Sequence, residues 1–179
     1  REMAEAVALD LLEKRLVTDQ LTLTVGYDIE NTAGGYHGET VTDRYGRKIP
    51  KHAHGTANLP RKTSSARSVT DAILGVYDAK VDPKLTIRRL TITANRLVSE
   101  DEARKALEAP TQFNLFDSVE AQEQHLREEE SKLERERRLQ EAMLGIKKKF
   151  GKNAILNGGS YLEGATARER NGQIGGHKA

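Results

Sequence analysis

There is no cysteine in this chain, which excludes disulfides and thiolate metal sites. Aromatic residues make up only 4%, which argues against a platform for stacking single-stranded bases. No apolar run approaches the ~20 residues that a membrane-spanning helix needs, and nothing at the start resembles a signal peptide. A cytoplasmic protein with no membrane partner is the expectation. Phosphate-cradling loops are missing too, as is any Ser/His/Asp grouping with a nucleophile context. Asp and Glu are plentiful, yet none falls at a strand end beside another carboxylate. Two-metal chemistry has no visible home.

What is present is polar and segregated. Charged residues make up 31% of the 179, against 36% hydrophobic, so one compact domain with an extended or exposed addition is expected. The net charge is only +2, but the sequence pI is 8.8. The first residue is Arg1, inside a helical pattern and without an initiator Met. The chain reads as a piece of something longer.

Val7, Ala8, Leu11, Leu12 and Leu16 recur at a helical period between Met3 and Val17. "LTLTVGY" (Leu21 to Tyr27) then alternates apolar residues with Thr, the pattern of a half-buried strand. A polar stretch from about Asn31 to Ala53 is long for a loop and reads as an insertion or a loose hairpin. "HGTANLP" (His54 to Pro60) is a weaker strand. Ser64 or Ser65 is the natural N-cap of a second helix, whose stripe is Val69, Ala72, Ile73, Val76, Tyr77 and Val81. "LTIRRLTITANRLV" (Leu85 to Val98) is the strongest strand. Ile87 shares a face with Leu90, Ile92 and Ala94 only if Arg88-Arg89 forms a bulge.

The order helix, strand, strand, helix, strand gives an α+β class, a small antiparallel sheet backed by two helices. Its other face carries Thr22, Thr24, Thr91, Thr93 and Asn95, and is either simply solvated or a binding surface. Residues 1–99 form this domain and 100–117 a linker. A charged helix follows over 118–150, with Glu-before-basic pairs at spacing four. Val119, Leu126 and Leu133 repeat every seven residues, but the complementary positions hold Gln and Glu, so no stable coiled coil is expected. Leu139, Met143, Ile146 and Phe150 give its last turns an apolar face. Residues 151–179 form a basic, Gly-rich tail, flexible by composition when unbound.

Three groups of residues are candidate sites. His52 and His54, with His37, lack a carboxylate at ligand spacing and read as solvated rather than as a metal site. Arg61, Lys62, Thr63, Ser64 and Ser65 bring cations, hydroxyls and backbone amides to a helix N-terminus, which suits a phosphate. Arg88, Arg89 and Arg96 flank Thr91, Thr93 and Asn95. Together they fit binding to a duplex backbone with little sequence readout, against an ordinary basic surface as the alternative. In the linker, "QFNLF" (Gln112 to Phe116) follows Pro110. It is either local core or a docking peptide in which Leu115 and Phe116 bury apolar surface and Gln112 bonds at the rim.

"HGTANLPRKTSSARSV" and "LTIRRLTITANRLVSE", around an amphipathic helix, resemble the little-finger domain of Y-family translesion DNA polymerases. "VTDQLTLTVGYD", "TDRYGRKIPKHAHG" and the closing segment from Ile146 are similar to the bacterial UmuC-like branch. The resemblance covers nearly the whole chain. It implies a four-stranded sheet backed by two helices, of which three strands lie here and the first would precede Arg1. It also implies a sheet face set along template-primer DNA, a role in damage tolerance and the SOS response, and nucleoid association. Gln112, Leu115 and Phe116 match the family's Gln-x-x-Leu-Phe peptide for the bacterial sliding clamp. The family's palm is absent, so this chain is not expected to polymerise DNA. Mg would belong to the parent enzyme, and no cofactor is expected here. A separate reading makes the charged helix a protein-interaction module on a small α+β scaffold.

Overall fold

A computed structural model describes residues 1–33, 35–107, 119–174 and 177–178. The class is α+β, as expected: a small antiparallel sheet with helices, including a long helix toward the C-terminus. The chain divides into two compact units. One comprises Thr18–Thr63 and Arg67–Leu97 with Arg1. The other comprises Glu2–Val17, Ser64–Ala66 and Val98–Ala179.

The first unit is built on β1 (Leu16–Tyr27), which continues into it from Thr18. A 3-10 turn (Ile29–Thr32) and a short hairpin, β2 (Thr40–Thr42) with β3 (Lys48–Pro50), separate it from β4 (Ala53–Thr63). The polar insert thus does contain a hairpin. Next come α2 (Ala66–Lys80) and β5 (Ile87–Asn95). β1 is central, antiparallel to β4 on one side and β5 on the other. Alternation along β1 sorts its side chains as period two requires. Leu21, Leu23, Val25 and Tyr27 are buried, while Thr22 and Thr24 look the other way. Val69 and Ile73 of α2, with Val81 just beyond it, complete the core.

Helix and strand approach closely at Gly55. A Cβ there would lie 2.6 Å from Val76 Cγ1, so glycine lets α2 settle on β4. Tyr27 is buried with its hydroxyl satisfied, accepting from the Asp82 amide at 2.9 Å. The bulge expected at Arg88-Arg89 is present. Tyr27 faces Ile87 and Gly26 faces Arg89, leaving Arg88 as the extra residue. A larger irregularity interrupts β4, where Thr18 faces Thr63 but Gln20 faces Asn58. Residues 59–62 thus stand against Asp19 alone. Pro60 lies in that stretch and has no N–H to offer a ladder.

In the second unit, α1 (Glu2–Glu13) buries Ala4, Ala8, Leu11 and Leu12. Arg15 follows with a left-handed backbone (φ 53°), the conformation in which helices commonly end. Its carbonyl accepts from the Glu100 amide at 3.1 Å. Leu16 and Val17 pair with Ser99 and Val98 of β6 (Val98–Ser99). The segment read as linker opens with a helix, α3 (Glu100–Leu107). Its start is a capping box: Ser99 N donates to Glu102 Oε2 at 3.0 Å, and Glu102 N donates to Ser99 Oγ at 3.2 Å. Those bonds from Ser99, chiefly from its amide, hold the Glu102 carboxyl below its ordinary range.

The long helix α4 (Val119–Phe150) matches the charged helix in extent. Its apolar face matches only in part: Met143 and Ile146 are half-buried, but Leu139 and Phe150 are 61% and 66% exposed while Gln140 is buried. The inward face also takes in Glu136, Gln140 and Leu144. α4 packs on α1, with Lys148 Nζ 2.9 Å from a Glu13 carboxylate oxygen. The Gly-rich tail forms a 3-10 turn (Gly158–Tyr161), α5 (Ala167–Asn171) and a pairing of β7 (Gln173–Ile174) with β8 (His177–Lys178). Glu2 Oε2 accepts from the amides of Thr166 at 3.1 Å and Ala167 at 3.0 Å. Desolvation pushes the Glu2 carboxyl up, but hydrogen bonds from Ser160 and these amides, with the charge of Arg170, bring it below its ordinary range.

Candidate nucleic-acid interface

The face of the sheet opposite the core is a lattice of hydroxyls and amides in rows across three strands. Gln20 faces Asn58 and Asn95, Thr22 faces Thr56 and Thr93, and Thr24 faces His54 and Thr91. Gln20 Nε2 donates to Asn58 Oδ1 at 2.9 Å, and Asn95 Nδ2 donates to Thr22 Oγ1 at 2.9 Å. Thr22 and Thr56 hydroxyls lie 3.1 Å apart, and Thr24 Oγ1 lies 3.0 Å from His54 Nδ1. Cross-strand pairs of this kind hold side chains in register. None of these row positions is a carboxylate. Their hydroxyls and amides offer donors and acceptors that can meet phosphate and sugar oxygens.

Sequence reading placed Thr91, Thr93 and Asn95 on this face together with Thr22 and Thr24. It missed Gln20, His54, Thr56 and Asn58. The signal for the last three was present in the alternation of "HGTANLP", where small and apolar residues separate His54, Thr56, Asn58 and Pro60, and Gln20 lies two residues before Thr22.

Cations flank the lattice at both ends of β5. Arg89, opposite Gly26, is on the open face, and Arg88 is exposed at the bulge. Arg96 lies just past the other end, exposed, with a left-handed backbone (φ 50°). Beside it, Lys62 Nζ donates to the Arg96 carbonyl at 3.1 Å and pairs with Asp19 at 3.2 Å. Lys62 therefore ties the irregular end of β4 to its neighbours, while Arg61 is exposed in that stretch. From Arg89 to Arg96 the strand rise gives about 23 Å, equivalent to about seven phosphates along one nucleic-acid strand.

The start of α2 carries an anion already. Ser64–Ala66 belong to the second unit, as does α4. Ser65 Oγ lies 2.9 Å from both carboxylate oxygens of Glu136. Gln140 Oε1 accepts from the Ala66 amide at 3.3 Å, and its Nε2 donates to the Ser64 carbonyl at 3.2 Å. These bonds explain why α4 turns Glu136 and Gln140 inward rather than Leu139: Glu136 takes the Ser65 hydroxyl, and Gln140 takes the Ser64 carbonyl and the Ala66 amide, one of the N–H groups that a helix start leaves without partners. A carboxylate thus stands where the sequence pattern suits a phosphate, and both meet the same preference for negative charge.

Among the described residues, no three His, Asp or Glu side chains come together as a group that could hold a metal ion. No helix among them is long and apolar enough to cross a membrane. Gln112, Leu115 and Phe116 lie outside the described residues.

No family model matches the chain. It is 27% identical over 178 residues to a protein of Bacillus subtilis (strain 168) named "Putative UV-damage repair protein UvrX". The match takes in 99% of this chain and 33% of that protein, so the chain spans about a third of the relative's length.

Proposed function

We propose that this chain is the non-catalytic, DNA-binding and clamp-tethering portion of a Y-family translesion DNA polymerase that acts in damage tolerance. The observation that carries the reading is the open sheet face: a cross-bonded lattice of Thr, Asn and Gln with arginines at both ends of β5. Such a surface grips the backbone of duplex or template-primer DNA, with little preference for sequence. The name of the Bacillus subtilis relative supports a place in DNA repair. Mg and polymerisation belong to the parent enzyme's palm, and no step through a metal falls to this chain.

Two experiments test the two halves of this reading. In the first, Arg88→Ala with Arg89→Ala weakens duplex binding to a similar degree across sequences, and lowers the salt slope by about two. Unchanged affinity removes the sheet face from the account. In the second, the chain is titrated against a bacterial sliding clamp beside a variant with Gln112, Leu115 and Phe116 all changed to Ala. Burying Leu115 and Phe116 contributes about 4–6 kcal/mol before the cost of ordering, so micromolar binding that the variant loses is the expected result. Absence of binding by the parent chain would remove the tether.

A further inference from the structure

The hairpin of β2 and β3 lies outside the sheet of β4, β1 and β5, and its tip is closed by a dense set of hydrogen bonds. Asp43 organises it. Asp43 Oδ1 accepts from the amides of Tyr45 at 2.8 Å and Arg47 at 3.0 Å, and Oδ2 accepts from Arg47 Nε at 2.9 Å. The Asp43 amide donates to the Arg47 carbonyl at 2.9 Å, and Gly46, at φ 78°, donates to the Asp43 carbonyl at 3.0 Å. Bonds from Arg47, first from its amide and then from its side chain, hold the Asp43 carboxyl below its ordinary range. At the base, the Lys51 amide donates to the Glu39 carbonyl at 2.8 Å, their side chains pair at 3.0 Å, and Pro50 is fully buried.

All this order presents one aromatic ring to solvent. Tyr45 is 71% exposed. The guanidinium carbons of Arg44 and Arg47 lie 5.3 and 5.1 Å from its ring centroid, and Lys48 follows, also exposed. With Asp43 the tip carries three cations against one anion. In a chain so poor in aromatics, a flat ring held in water by a rigid turn contributes nothing to a core. Its chemistry fits a ligand with a flat π-face and nearby negative charge, which describes a nucleobase and its phosphates. An acidic peptide would use the cations but leave the ring without a flat partner. A base inside a duplex has its faces covered by its neighbours, so an internal pair cannot stack on such a ring whereas an unpaired base can.

We propose that the Asp43–Lys48 tip is a contact for single-stranded nucleic acid, in which an unpaired base stacks on Tyr45 and the flanking phosphates meet Arg44, Arg47 and Lys48. This contact is separate from the duplex surface of the open sheet face and does not rest on it.

The test uses the full chain with a fluorescent oligo(dT) of about 12 nucleotides and a duplex of equal length, both at low salt. Tyr45→Ala weakens oligo(dT) binding by about tenfold, the size of one lost base–aromatic stack. Tyr45→Phe, which keeps the ring, binds as the parent does, and neither variant alters duplex binding. Arg88→Ala with Arg89→Ala gives the reverse pattern, lowering duplex affinity and sparing oligo(dT). A parent chain that does not bind oligo(dT), or a Tyr45→Ala variant that binds it as well as the parent, overturns the proposal. So does a Tyr45→Phe loss equal to that of Tyr45→Ala, or an equal loss on single strand and duplex. Loss of duplex binding by the parent alone would sink the sheet-face reading and leave this one standing.

Discussion

Leu21, Leu23 and Val25 in one unit and Ser65, Gln140 and Ser160 in the other are similarly hidden from water, none more than 7% exposed. They are held there by different physics. The three apolar side chains of β1 need no particular partner, because removing each from water stabilises the fold by about 1.5–3 kcal/mol wherever it packs. The polar ones need specific partners. Ser65 meets Glu136, and Gln140 meets Ser64 and Ala66, from more than 70 residues away in the chain. A net hydrogen bond contributes only about 0.5–1.5 kcal/mol, but losing one partner leaves a buried group unpaired at about 1–3 kcal/mol. Burial of the apolar side chains tolerates imprecision. Burial of the polar ones does not.

Leu23→Ala should give the largest effect, a loss of about 2–5 kcal/mol from the cavity left in the center of β1, read by urea denaturation. Hydrogen exchange should accelerate along all of β1, because its neighbours share that core. Gln140→Ala should cost less, about 1–3 kcal/mol, since the Ala66 amide and Ser64 carbonyl lose their partners. Its faster exchange should be confined to the start of α2 and the adjoining turns of α4. Were Gln140→Ala to cost as much as Leu23→Ala, the contrast between apolar and polar burial would collapse.

The same contrast explains what could be read from the sequence. Period-two burial along Leu21–Tyr27 and period-3.6 burial at Val69 and Ile73 repeat locally, and the strand and helix were legible from them. Parity alone exposed the bulge, because Ile87 and Leu90 cannot share a face without an extra residue, and Arg88 is that residue. α3 was missed because its eight residues are mostly charged and its apolar positions, Ala103, Ala106 and Leu107, make only a short stripe of mostly small residues. A second signal was the Ser99–Glu102 capping box. The inward face of α4 was misread for a related reason. Leu139 and Phe150 look like core by type, but Glu136 answers to the Ser65 hydroxyl and Gln140 to backbone groups of Ser64 and Ala66, which no local pattern announces. Likewise the bonds that Glu2 accepts from Thr166 and Ala167 join the two ends of the sequence and leave no period.

For the open face, threonines at every second position gave half of the lattice, and the register of β4 supplied His54, Thr56 and Asn58. Composition could not settle whether such a face is solvated or bound. That is a question for its electrostatics. Arg61, Arg88, Arg89 and Arg96 are the cations nearest its two ends that sit exposed, and engagement of four phosphates sets a slope of about −3 to −4 for log affinity against log salt.

The most direct measurement is therefore the affinity of this chain for duplexes of unrelated sequence between about 50 and 200 mM salt. The account predicts a steep decline of that slope, the same for each sequence. Affinity that stays flat with salt, or that differs widely between sequences at fixed salt, would contradict it.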